Sequence, residues 1–164
     1  MVSTTIKGRA RLVALGLLLD RAIGEPPDRI AAEFLKRVRS DMAEQDWHRH
    51  FDEASLRWFR ERGMRMSDLL IGYLDAVGRP RRDDRLAQAA SLGREYGVEA
   101  KRRGLSLGEA AQVFLFFRAR FLAEIANVAR RRAVDAEQAA SLFAEADRAL
   151  DTVILALIDA HRAS

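Results

Sequence analysis

Apolar residues recur at intervals of three and four along nearly the whole chain, the spacing that lines one side of a helix. Leu86, Ala89, Ala90, Leu92, Gly93, Tyr96, Gly97 and Ala100 define one such side over about 83–103, and Leu107, Ala110, Ala111, Phe114, Phe121, Leu122 and Ile125 another that continues to about 131. Ala139, Leu142, Phe143, Ala146, Leu150, Val153, Ile154, Leu157 and His161 keep a 3–4–3–4 rhythm to the end of the chain. That is the spacing of a coiled-coil seam, and it predicts a last helix that pairs with another. Phe114, Phe116, Phe117 and Phe121 spread too widely for one stripe, so the helix before it is expected to be buried on more than one side, in the core or at a subunit contact.

The first half divides more finely. A helix is expected over about 5–22, stopped by Gly24-Glu25-Pro26-Pro27, and a second through Ile30, Ala31, Phe34, Leu35 and Val38. Trp47, Phe51, Ala54, Ser55 and Trp58 suggest a third, which Gly63 is expected to interrupt. Ser67 and Asp68 then open a fourth through Leu69, Leu70, Tyr73, Leu74 and Val77, closed by Gly78 and Pro80. Gly104 ends a helix, Ser106 and Glu109 have the spacing of a capping box, and Asp135 with Gln138 starts the last helix. No stretch alternates as a strand does. The expected fold is all-α, with about seven helices in a single bundle over residues 1–164, or in a globin-like packing of crossing helices.

A length of 164 residues suits one domain with a sizeable core, and 49% hydrophobic residues exclude wholesale disorder. Cysteine is absent, which removes disulfides, thiolate catalysis and cysteine-based metal sites, and is compatible with the cytoplasm. The apolar run from Leu12 to Leu19, after Lys7, Arg9 and Arg11, has the outline of a signal peptide. Asp20 and Arg21 follow it at once and no cleavage pattern is evident, so a core helix is the expectation; the run is also short of the ~20 residues that span a membrane.

The net charge of +4 arises from 28 basic and 24 acidic residues, and only three of the basic ones are lysine. The basic clusters lie close to acids: Arg79-Pro80-Arg81-Arg82 precedes Asp83 and Asp84, and Lys101-Arg102-Arg103 follows Glu95 and Glu99. Arg130-Arg131-Arg132 falls where a helix should end, complementing its exposed carbonyls. Solvated helix faces explain these clusters better than nucleic-acid binding does.

No catalytic constellation is legible. His48 and His50 are two apart and diverge on a helix, and His161 lies on the last seam, so no metal set is expected. A globin-like heme sensor would need His50 or His161 to face an apolar cavity, and neither lies mid-helix in an apolar run. There is no phosphate-cradling glycine loop, nucleophile elbow or metalloprotease helix, and no nucleophile beside a base. The expectation is a non-enzyme without cofactor, catalytic residue or metal ligand. Trp47, Trp58, Tyr73 and Tyr96 read as core before they read as the lining of a small-ligand pocket.

One stretch is familiar. Gly93, Tyr96 and Gly97 on one helix, the Gly104-Leu105-Ser106-Leu107 corner, Glu109, and Phe114 to Arg118 on the next helix resemble the N-terminal domain family of RsbRD-type regulators, the RsbT co-antagonists of the bacterial general stress pathway. Ile30 to Arg39 looks like that family's opening helix, so the resemblance spans about 28–160. It implies a sensory or dimerisation input domain that feeds a kinase, a regulator or another output module, supplied beyond residue 164 or by another polypeptide. It implies no catalytic residues. Together with the last seam it yields the expectation of a cytoplasmic homodimer that relays a signal through its C-terminal helix, with neither nucleic acid nor membrane as partner.

Overall fold

The computed structural model describes residues 40–41, 44–76 and 79–164, and every regular element among them is helical. A 3-10 turn, Asp46–His50, leads into α1 (Glu53–Asp75), followed by α2 (Arg82–Arg102), α3 (Leu107–Arg131) and α4 (Ala136–Ala163). The count of about seven helices is thereby corrected. The two helices expected before residue 39 lie outside the described residues, and the third and fourth are largely one.

Gly63 does not break α1. The turns on both sides of it bury Phe59, Met66, Leu69, Leu70, Tyr73 and Leu74 on one continuous face. That burial outweighs the ~1 kcal/mol a glycine costs inside a helix. Ser67 is accordingly no cap: its hydroxyl donates to the Gly63 carbonyl one turn back, at 2.9 Å. The true start is Asp52, whose carboxylate accepts the Ser55 amide at 2.7 Å. Trp47 and Phe51 belong to the turn and the extended residue before it, although their rings still reach the same core.

The corners match the sequence closely. Ser106 and Glu109 form the capping box in both directions, and Asp135 accepts from the Gln138 amide. The two ends of α3 are reached through equivalent exits. After α2, the Leu105 amide bonds the Ala100 carbonyl and the Gly104 amide that of Lys101; after α3, Val134 bonds Ala129 and Ala133 bonds Arg130. Both are Schellman closures, which place one residue in the left-handed region. Glycine holds that position in the first (Gly104, φ 83°) and alanine in the second (Ala133, φ 49°).

Contacts between helices establish the directions. Phe59 meets Tyr96 and Arg62 pairs with Glu95, so α1 and α2 run antiparallel; Arg118, midway along α3, meets Asp147 and Asp151, while His161 near the end of α4 meets Leu105 just before α3, so α3 and α4 are antiparallel too. Gly93 faces Val153 and Gly97 faces Leu157, so α2 and α4 run the same way and touch backbone to backbone. This parallel pair is the spine of the bundle, with α1 and α3 packed along it. Its contact face is the predicted seam of α4: Leu142, Ala146, Leu150, Val153 and Leu157 are all at most 2% exposed within the single chain. The seam is therefore covered by the chain's own helices and cannot be the surface that joins two copies, contrary to the sequence expectation.

Candidate functional site

The residues that offered themselves for chemistry are dispersed. His48 is half-buried on the 3-10 turn that His50 ends, while His161 is buried at the far end of α4. The His161 Nε2–H donates to the Leu105 carbonyl at 2.9 Å, tying the last helix to the α2–α3 corner. Among the described residues, no three histidine or carboxylate side chains gather as a metal site would require, and no helix is long and apolar enough to cross a membrane.

Arg82, Arg102, Arg103, Arg130 and Arg131 of the basic clusters are engaged with neighbouring groups. Arg102 and Arg103 both hold Glu99, and Arg103 also hydrogen-bonds the buried hydroxyl of Ser55 on α1. Hydrogen bonds from Arg102, working against partial burial, keep the Glu99 carboxyl below its usual range. Arg130 bonds Asn127 and Arg131 bonds Glu124. Arg82 lies 4.2 Å over the Tyr73 ring and pairs with Glu145, which Tyr73 and Arg148 also contact. Burial raises the pKa of Glu145, but hydrogen bonds from Arg82 and the charges of Arg82 and Arg148 outweigh it, so the carboxyl titrates below the normal glutamate range. This clamp joins α1, α2 and α4.

The aromatic residues fill one another's space. Trp47 meets Phe51 and Phe116 edge-on, Phe51 meets Phe59, and Trp58 meets Phe59 and Tyr96. The Tyr96 hydroxyl donates to the Phe59 carbonyl at 3.0 Å, and burial pushes its pKa far above that of free tyrosine. Arg62 and Arg103 lie over the Trp58 ring at 5.0 and 5.9 Å. These contacts make a cross-braced joint between α1 and α2.

What the bundle leaves outside is more informative. Leu155 is 60% exposed and Leu115 48%. The Arg118 bridges to Asp147 and Asp151 fix the antiparallel register of α3 and α4, and that register brings Leu115 and Leu155 to about the same level on adjoining outer edges. Ile154 and Ile158 lie half-buried on the same edge of α4, and Leu122 on that of α3. The α3–α4 edge thus sets these apolar residues around the Arg118–Asp147–Asp151 cluster. The four phenylalanines that lead the sequence to expect α3 buried on more than one side are taken up within the chain, Phe116 against Trp47 and Phe117 against Phe114 and Phe121, and the sequence places the pairing surface on the seam of α4. The missed signal was the leucine at 155, two positions from each of the seam residues Val153 and Leu157, on a helix side otherwise occupied by Asp151, Thr152 and Asp159. No protein-family model, curated protein or solved structure matches this chain.

Proposed function

We propose that the chain is a non-catalytic signalling input domain of the cytoplasm that pairs with a second copy through its two C-terminal helices and passes a signal to an output module. The observation that carries this reading is the exposed Leu115 and Leu155 pair on the α3–α4 edge, an apolar surface left over once the core is filled. The resemblance to RsbRD-type input domains supports the same reading, because its residues lie on α2, the Gly104 corner and α3, the elements that position this edge.

In this reading α4 does not slide along its own seam. Its backbone is locked to α2 at Gly93 and Gly97, so α2 and α4 respond as one body and the signal is carried by how the α3–α4 edges of two copies meet. Light scattering across a dilution series tests the pairing: a mass that falls from two chains to one supports it, and a strict monomer at high micromolar concentration removes it. The discriminating variant is Leu155→Glu, which leaves the core intact.

A further inference from the structure

α3 has a second seam on its outer side. Gly108, Gln112, Leu115, Ala119, Leu122 and Ala126 follow one another at alternating intervals of four and three. The first four are exposed and the last two half-buried, whereas the core-facing side of the same helix carries Ala110, Val113, Phe114, Phe121, Ile125 and Val128. None of the six outer residues is charged, in a chain of which 32% is charged. A helix face kept for solvent normally carries the charges; this one carries leucines spaced by small residues and one amide.

We propose that this outer strip of α3 is the docking surface for a second copy of the chain, with the two α3 helices antiparallel about a two-fold axis between Leu115 and Ala119. The inference rests on the reading that the chain pairs, and names the surface and geometry by which it does so. Three features favour this occupant and this direction. The first is size. Under that axis Leu115 lies opposite the partner's Ala119, Leu122 opposite the partner's Gln112, and Gly108 opposite the partner's Ala126, so the two leucines never meet each other. A parallel pairing would set each leucine on its own copy and each alanine on its own copy, with crowding and gaps in alternate layers.

The second feature is charge. The last turn of α3 is basic (Arg130, Arg131) and its first turn acidic (Glu109), so antiparallel packing brings opposite ends together and opposes the two macrodipoles. Arg118, on the flank of the strip, is already engaged by Asp147 and Asp151, so its own charge is matched within the chain and the cluster carries one net negative charge. The third is position: the register set by Arg118 brings exposed Leu155 of α4 to about the level of Leu115, on the adjoining edge. The strip is about 27 Å long at 1.5 Å per residue. A contact of that length falls short of the ~800 Å² per partner of a standard interface, so the dimer is expected to be weak and to dissociate on dilution through the micromolar range.

The absence of cysteine provides a direct test. Leu115→Cys and Ala119→Cys place single thiols on exposed positions of the strip. Mixed under a mild oxidant, the two variants should cross-link at least tenfold faster than either alone. An antiparallel pair sets position 115 against 119, while 115 stands from its own copy by four residues along the axis, beyond disulfide reach. Cross-linking of each variant with itself would overturn the antiparallel arrangement. Ala119→Glu should weaken pairing at least tenfold without changing helicity. A wild-type dimer that ignores Ala119→Glu and does not cross-link keeps the pairing but removes this surface. A wild-type chain that is monomeric throughout removes the pairing itself.

Discussion

A methyl group added to Gly93 would stand 2.7 Å from the carbonyl oxygen of Val153, closer than a side-chain carbon can lie to backbone on another helix. Gly97 is under the same constraint from the Leu157 carbonyl, one turn further along both helices. Alanine at either position would gain up to ~1 kcal/mol of helix propensity, but it would force α2 and α4 apart along the most deeply buried stretch of the bundle. Gly93→Ala and Gly97→Ala are each expected to destabilise the fold by about 1–3 kcal/mol, the cost of overpacking. Urea unfolding measures this, and an unchanged midpoint would show that the helices are not held backbone to backbone.

Leu150 and Leu155 lie on one helix and should behave oppositely. Leu150 is wholly buried on the α2-facing seam, and its truncation to alanine should cost about 2–5 kcal/mol. Leu155 is mostly exposed, and the same truncation should alter monomer stability by less than about 0.5 kcal/mol. Thermal melts at low micromolar concentration, where pairing contributes little, read both values directly.

The matched corners at either end of α3 give a paired test. Ala133 adopts a left-handed conformation that costs a residue with a Cβ about 1 kcal/mol, and Gly104 occupies the same place without that cost. Ala133→Gly should therefore raise stability by about 1 kcal/mol, and Gly104→Ala should lower it by a similar amount. Chemical denaturation of the two variants checks the opposite signs; two changes of the same sign would contradict the geometry.

Acid stability should respond to Glu145. Its carboxyl titrates lower in the folded chain than in the unfolded one, so the stabilisation is complete above the unfolded pKa of about 4.3 and is lost as pH falls through the folded value. Glu145→Gln should leave Arg82 with a weaker partner, lowering stability at neutral pH by about 1–3 kcal/mol and flattening the acid limb of the stability curve. Part of that limb should persist, because Glu99 is also held below its ordinary range by Arg102 and Arg103. Denaturation midpoints from pH 7 to pH 3 resolve the difference.

Local chemistry was legible wherever its partners lie within a few residues. The capping box at Ser106 and Glu109, the start at Asp135 and the exit at Gly104 need a hydroxyl or carboxylate three residues from an amide, or one residue free to turn left-handed. The same reasoning failed at Gly63, because whether a glycine ends a helix depends on what the turns beside it bury. Phe59 and Met66 are held by the rest of the bundle, so α1 continues. The candidate surface was not legible: the breadth of phenylalanines on α3 is taken up by Trp47 and by the rings themselves, and nothing in the spacing says which apolar side is already taken.

That division has one physical origin. Helix formation, capping and amphipathic spacing are properties of contacts three and four residues apart, and the chain's own order determined them: an all-helical protein without cysteine, with defined corners after α2 and α3 and a regular seam on α4. Which face meets which is a matter of residues some 60 positions apart, as at Gly93 with Val153 and Gly97 with Leu157. Only their meeting decided that the α4 seam closes inside the chain and that the apolar edge of α3 remains outside, because the area one helix buries is set by whichever neighbour can approach it most closely.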